Sequence, residues 1–460
     1  MIDLDKKNKI PLYMQLYNYF KNEIQKGNYK ADDKLPSKRI LCSKLKISQN
    51  TVENAYGLLL QEGYIISKPK KGYFVTKLHK DTFKKNKYNF KEEKSVSENI
   101  KYDFSTSLID VNSFPFSTWS KISKEIMYNN PELLKRGDFQ GDINLRNTIS
   151  HYLYTEKGVI GKPSQIIIGA GIEYLMDMLI EVLPKDSIYA LENPGYTKIY
   201  TILKNNNKKT EFISLNDYGM DFEMLKKSSC NIAYLTPSHQ FPTGVIMPVY
   251  ERTKFLKWAQ KEKNRYIIED DYDSEYNYKT KPIPPISGFD NNDKVIYIST
   301  FSRTLSPSIR IAYMVLPENL LKKYKEMFSS YSCTVSRFEQ HTLEKFIKDG
   351  YLTRHLNRTK NLYRKKTEQI IISINQLKNK SKIKISKYGT GLYLIMEVNT
   401  QKTIDEIYNL CNKYSVKLYP MESFFHNKKA QSKKTFVLGY CGLSLEDIKT
   451  AVSYFDNIFF

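Results

Sequence analysis

Between Ile10 and Val75 the apolar residues fall first at helical and then at strand spacing. Pro11 opens a helix whose Leu12, Leu16, Tyr19, Phe20 and Ile24 share one face, and Gly27 ends it. Ser37, which follows Leu35-Pro36, is a natural N-cap for a second short helix through Leu45. A tight Lys46-Ile47-Ser48 turn leads into a third helix, Gln49 to Glu62, with Val52, Ala55, Leu58 and Leu59 facing inward and Gly63 closing it. Two short apolar runs, Tyr64–Ile66 and Tyr73–Val75, flank the basic turn Lys68-Pro69-Lys70-Lys71-Gly72. Three short helices and a β-wing predict a winged helix-turn-helix. In that geometry the start of the third helix enters the DNA major groove, and the wing reaches phosphates or the minor groove.

The pattern then changes. Residues 77–100 contain no Gly or Pro, few aliphatics and charge throughout, which predicts a solvated linker. From Lys101 onward apolar strand-like runs alternate with helical periodicity, which predicts an α/β domain. The strand candidates are Gln165–Gly169, Ser187–Leu191, Ile232–Thr236, Tyr266–Asp270 and Val295–Thr300.

Composition narrows the class. A chain of 460 residues has roughly three domains' worth of length. With 41% hydrophobic and 26% charged residues, it is neither a disordered tail nor a disulfide-stapled mini-domain. No run of about 18 apolar residues offers a membrane span, and Met1-Ile-Asp-Leu-Asp-Lys-Lys lacks the apolar core of a secretory signal. A cytoplasmic protein with no membrane partner is expected. The net charge of +23 favours a polyanionic partner, although the lysine excess is spread along the chain and equally fits a compositional bias. Five cysteines lie far apart with no CxxC pair, which suits unpaired thiols and no metal centre.

Three segments of the larger domain carry candidate chemistry. Ile166-Ile167-Ile168-Gly169-Ala170-Gly171 is a strand running into a small-residue turn before a helix from Glu173 to Leu183, an anion site by virtue of free helix amides or simply a packed turn. The acidic stretch Glu269–Tyr276 follows the apolar Tyr266–Ile268, where α/β folds place ligands; a solvated acidic loop is the alternative. Ser299-Thr300-Phe301-Ser302-Arg303, with Arg310 seven residues on, groups hydroxyls and guanidinium groups suited to phosphate.

The N-terminal text resembles the GntR-type DNA-binding domain in "PLYMQLYNYFKNEIQKGNY", "KLPSKRILCSKLKISQNTVENAYGLLLQEGYI" and "KKGYFV". The resemblance implies that Ser37 and Arg39 touch phosphate, that Gln49, Asn50 and Thr51 approach bases or phosphates, and that Lys71 and Gly72 sit in the wing. Where the family often has arginine after Ser48, this chain has Gln49, an amide better suited to adenine than to guanine and pointing to an A/T-rich operator. A winged helix used only for protein contacts is the alternative.

The remainder resembles fold-type I aminotransferases, specifically the MocR/GabR regulators, through "YDFSTSLIDVNSFPFSTW", "GDFQGDINLRNTISHYL", "LENPGY", "YLTPSHQFPTG", "IIEDDYDSEY", "YISTFSRTLSPSIRIAYMVLP" and "GTGLYL". The resemblance implies residues 1–76 as a winged helix-turn-helix domain and 77–100 as a linker. It implies 101–460 as an α/β aminotransferase-like domain with a mainly parallel sheet and a smaller C-terminal α/β subdomain from about residue 335. The implied cofactor is pyridoxal 5'-phosphate. Asp270 would pair with its pyridine nitrogen, Tyr272 with its phenolic oxygen and Tyr196 with its ring face. Gly171, Ile172, Thr300, Ser302 and Arg310 would hold its phosphate.

The departures from the family pattern change the expected function. The Schiff-base lysine belongs where this chain has Arg303, 33 positions after Asp270. A guanidinium stays protonated and is no nucleophile toward an aldehyde, so Arg303 would instead clamp an anion. The family's carboxylate-gripping arginine near the C-terminus is replaced by Val437. Lys198 stands where a second substrate-binding arginine can occur, and Arg136 where an aromatic from a partner subunit usually comes. The expectation is therefore a DNA-binding transcription regulator and not an enzyme. It would form a head-to-tail homodimer on a double-stranded operator and sense a small anionic effector. Pyridoxal 5'-phosphate or an analogue would bind non-covalently. The alternatives are a different small anion, a ligand-free dimerisation platform, or an aminotransferase using another lysine. His239 would either touch the ligand or pack beneath it.

Overall fold

The computed structural model describes residues 2, 4–6, 8–78, 100–278, 283–386, 389–426 and 434–460. The chain divides into two compact units, Met1–Ser97 and Glu98–Phe460. Most of the expected 77–100 linker, residues 79–99, lies outside the described residues.

The first unit contains α1 (Leu12–Gln25), α2 (Lys38–Leu45), α3 (Gln49–Gln61) and an antiparallel hairpin of β1 (Ile65–Lys68) and β2 (Gly72–Val75). Both helix starts are locally encoded: the Ser37 hydroxyl accepts from the Ile40 amide at 3.3 Å, and that of Ser48 from the Thr51 amide at 3.2 Å. Lys46, in the left-handed region at φ 51°, turns the chain between α2 and α3. The core joins Leu16, Tyr17, Phe20 and Ile24 to Val52, Ala55, Tyr56 and Leu59. Tyr17 and Tyr56 are thus buried where the pattern favoured Tyr19 and Leu58, which are half-buried. The Tyr56 hydroxyl donates to the Pro36 carbonyl at 2.8 Å and so ties α3 to the start of α2.

In the second unit, β3 (Tyr102–Asp103) is followed by α4 (Phe116–Asn129), α5 (Ile143–Tyr152), β4 (Ile166–Gly169), α6 (Ile172–Val182), β5 (Ile188–Asn193) and α7 (Thr197–Asn205). Next come β6 (Lys209–Asn216), β7 (Gly219–Met220), β8 (Ile232–Leu235), β9 (Tyr266–Asp271), β10 (Val295–Thr300) and β11 (Ala312–Val315). These strands form one mixed sheet in the order β4-β11-β10-β9-β8-β5-β6-β7. The pairs from β10 through β6 are parallel, and those involving β4, β11 and β7 are antiparallel. The expected mainly parallel sheet is thus present, bounded by antiparallel edges. Two successive antiparallel pairings leave β4 pointing the same way as β10, so Gly169 reaches the sheet edge where β5, β8, β9 and β10 also end.

A second sheet of β12 (Ile383–Ser386), β13 (Tyr393–Val398), β15 (Tyr419–Pro420) and β16 (Lys434–Gly439) builds the smaller C-terminal subdomain. The short β14 (Val416–Lys417) pairs in parallel with β3, so the start of this unit is stitched to its C-terminal part. Val437 lies in the middle of β16 and is fully buried with Phe241, Tyr393, Ile395 and Met421. No helix among the described residues is long and apolar enough to cross a membrane.

Candidate ligand pocket and DNA-reading surface

The carboxyl end of the parallel strands opens into a pocket that is partly exposed to solvent. It brings together Ile172, Tyr196, Asp270, Tyr272, Thr300, Ser302, Arg303 and Arg310 from four strand ends and their following loops. Gly171, at φ +97°, is the residue before α6, and a Cβ there would come within 2.1 Å of Arg310 Nη2. Glycine is required here by the backbone angle, and its missing Cβ also leaves room for the guanidinium to approach as it does. Sequence reasoning missed Ser107, Glu173, Thr236, Phe241 and Pro307, which also line the pocket. All but Glu173 lie inside the quoted family-like stretches, and Glu173 is in the first turn of α6.

The acidic stretch on β9 is not a solvated loop: Glu269, Asp270 and Asp271 are all buried. Each finds a different environment. Glu269 accepts the Ile286 and Ser287 amides at 2.8 and 2.9 Å. Asp271 meets Lys157 Nζ at 3.0 Å and accepts the Tyr297 hydroxyl at 2.6 Å. Lys157 also pairs with Glu275 at 2.8 Å. Asp270 Oδ2 accepts the Tyr234 hydroxyl at 2.5 Å, while its Oδ1 has no hydrogen-bond partner among the described residues. Burial pushes the Asp270 carboxyl up to about 7, against the opposing pull of the Tyr234 hydroxyl and of the Arg303 charge.

Around this carboxylate the other groups are held from behind. Arg303 Nη1 donates to the Thr106 carbonyl, which anchors the guanidinium at the pocket wall. The Tyr272 hydroxyl donates to the His239 carbonyl at 2.8 Å. His239 does not line the pocket; its Nδ1 lies 2.9 Å from Asp273 Oδ2 in the buried layer beneath Tyr272. Thr300 Oγ1 donates to Ser302 Oγ at 2.9 Å and accepts the Ser302 amide at 3.1 Å. Tyr196 packs edge-on to Phe241, ring centroids 5.8 Å apart. Arg136 is exposed and donates to the Ser330 and Tyr331 carbonyls at 2.6 and 2.7 Å. Lys198, by contrast, lines the pocket.

On the first unit, Ser37, Arg39, Gln49, Asn50 and Lys71 are exposed, and Thr51 and Gly72 are half-exposed. The Arg39 and Asn50 side chains make no hydrogen bond or ion pair among the described residues. Gln49 Nε2 donates to Glu53 Oε1 at 2.9 Å, and Lys38 pairs with the same oxygen at 3.0 Å. Ser37 and Thr51 also serve the helix starts, Thr51 Oγ1 lying 2.8 Å from Ser48 Oγ.

Residues 12–75 match the gntR family of bacterial regulatory proteins, and residues 101–455 match aminotransferase class I and II. The chain is a GntR-type transcriptional regulator with an aminotransferase class I and II domain. It is 38% identical to the uncharacterized HTH-type transcriptional regulator YdeL of Bacillus subtilis, over 98% of this chain and 97% of that one. It is 28% identical to the probable rhizopine catabolism regulatory protein MocR of Rhizobium meliloti, over 100% of this chain and 96% of that one. The fold of the larger unit is that of the kynurenine aminotransferase of Pyrococcus horikoshii, with a TM-score of 0.69 at 23% identity over 79% of this chain and 91% of that one. Placing this regulator among MocR-type proteins accounts for both of its units.

Proposed function

We propose that this regulator senses a small anionic ligand, pyridoxal 5'-phosphate or an analogue, held without a covalent bond and without transaminase activity. The observation that carries the reading is a pocket in which a buried carboxylate keeps one oxygen unpartnered, while the position expected to supply the Schiff-base lysine is Arg303. The residues fit the group. Asp270 Oδ1 would accept a ring N–H, Tyr272 would donate to the phenolic oxygen, Tyr196 would lie against the ring face, and Gly171, Ile172, Thr300, Ser302 and Arg310 would hold the phosphate. When bound to an enzyme, this cofactor supplies an aldehyde and an electron-withdrawing ring. A guanidinium is no nucleophile toward an aldehyde, so Arg303 would orient an anion instead. Val437 is packed in an apolar cluster and presents no charge to a substrate carboxylate.

Domain 1–76 would read a double-stranded operator through Ser37, Arg39, Gln49, Asn50, Thr51, Lys71 and Gly72, with 77–100 as linker and 101–460 as effector domain. The larger unit would form a head-to-tail homodimer, and the exposed apolar side chains Val111, Phe116, Met127, Tyr128 and Leu134 offer apolar surface for an interface of some kind. A ligand with different affinity for two dimer arrangements would shift their populations and hence operator binding.

A second reading, an aminotransferase using another lysine, is favoured only by the presence of Lys198 in the pocket. Calorimetric titration with pyridoxal 5'-phosphate, with borohydride reduction and intact mass in parallel, separates the two. Saturable binding with unchanged mass is expected. A reduced adduct would overturn the non-covalent reading. Absence of binding would leave DNA recognition and a dimerisation platform.

A further inference from the structure

The end of the pocket suited to phosphate already contains a carboxylate of the protein. Glu173 stands in the first turn of α6, an 11-residue helix. Its Oε2 accepts from Arg310 Nη2 at 2.8 Å, and its Oε1 lies 3.5 Å from Lys198 Nζ. The same guanidinium nitrogen donates to the Ala170 carbonyl at 3.1 Å. A Cβ on Gly171 would come within 2.9 Å of Glu173 Oε2, so the carboxylate lies over the backbone that opens α6. Glu173, Lys198 and Arg310 line the same pocket as Thr300, Ser302 and Asp270, whose Oδ1 has no partner among the described residues. Burial works against the charge on Glu173, but Arg310, the residue's own backbone amide and Lys198 outweigh it and hold the carboxyl below its usual range.

One guanidinium and one helix start cannot serve two anions without like-charge repulsion, and a phosphate monoester carries about −1.5 to −2 charges at neutral pH. We propose that Glu173 is a built-in competitor for the phosphate of the ligand, and that a phosphate monoester binds only by displacing its carboxylate from Arg310. Lys198 gives the displaced carboxylate a second partner, so the exchange leaves no charge unpaired. The residue thereby sets ligand choice. Ring compounds that engage Asp270 but carry no phosphate leave Glu173 in place, whereas phosphate esters must move it. The inference rests on the reading of this pocket as an anionic-ligand site.

The test uses the full-length protein and its Glu173→Gln and Glu173→Ala variants, checked for folding by their thermal unfolding midpoints. Each is titrated calorimetrically with inorganic phosphate, pyridoxal 5'-phosphate and pyridoxal. The two phosphate probes are expected to bind at least tenfold tighter in both variants, and pyridoxal within twofold of the parent protein. Inorganic phosphate that binds the variants no tighter than the parent, or not at all, overturns the role of Glu173. If neither ring compound binds any of the three proteins while phosphate binding still tightens, Glu173 keeps its role and the ring-ligand reading fails. If the ring compounds bind but no phosphate probe responds to the substitutions, the ring-ligand reading stands and the competitor is overturned.

Discussion

The two units of this regulator keep their functional groups in opposite ways. On the GntR-type unit the proposed DNA contacts Arg39, Gln49, Asn50 and Lys71 stand exposed over a small apolar core, and Gln49 bonds a near neighbour in sequence, Glu53. In the larger unit, Asp270 is buried behind Tyr234, and the groups around it are held by residues up to two hundred positions away, as Arg303 is by Thr106. Exposed recognition groups can change without disturbing the fold beneath them. Buried pocket groups serve stability and ligand binding together, because each charge withdrawn from water needs its partner.

The difference can be broken most severely at the ion pairs behind the pocket. Lys157→Met would leave Asp271 and Glu275 without their cation and is expected to cost about 3–5 kcal/mol in the urea unfolding of the larger unit, with the smaller unit's transition unmoved. A smaller effect is expected at Asp270, whose Oδ1 has no partner among the described residues. Asp270→Asn should weaken pyridoxal 5'-phosphate binding by about 1.5–3 kcal/mol in calorimetry, roughly 10- to 150-fold, and leave DNA affinity of the unliganded protein unchanged.

The pH dependence sharpens the same contrast. Burial pushes Glu192, Glu269 and Asp270 each up to about 7, so between about pH 4 and pH 7 the folded state holds protons that the unfolded chain releases. Stability from these groups is present at the acid side of that window and lost as pH rises through 7. The urea midpoint of the larger unit is expected to be lower at pH 8 than at pH 5.5, and the difference should shrink in Asp270→Asn.

On the reading surface the effects fall on DNA rather than on folding. Gln49→Ala is expected to cost about 1–3 kcal/mol on a cognate operator and little on unrelated DNA. Arg39→Ala and Lys71→Ala should each weaken binding to all sequences and lower the salt-dependence slope by about 1. Smallest of all, Ser48→Ala removes the cap of α3 and should destabilise the smaller unit by about 1 kcal/mol in urea unfolding.

Local signals carried a good part of this architecture. The starts of α2 and α3 follow from Ser37 and Ser48, whose hydroxyls bond within three residues of themselves. The strands β8, β9 and β10 agree with their apolar runs to within a residue, because central strands covered on both faces read as unbroken hydrophobic stretches. The choice of Tyr17 over Tyr19, and of Tyr56 over Leu58, was not legible, since it depends on how α1 and α3 roll against each other. Nor was the pairing of Tyr102–Asp103 with Val416–Lys417, two short segments with no periodicity of their own, separated by most of the domain.

The sequence alone determined which residue types stand at each critical place: a winged helix with Gln49 at its tip, an arginine at position 303, a valine at 437, and three consecutive carboxylates on one strand. Only the tertiary structure decided what those carboxylates became. Glu269 was given two backbone amides, Asp271 a lysine, and Asp270 a single tyrosine and an open oxygen, while Glu173 was laid across Arg310. Neighbours along the chain cannot supply these differences. Successive residues of a strand face opposite sides of the sheet, and the desolvation and partners at each position come from remote segments, so identical side chains acquire unlike charges and unlike tasks.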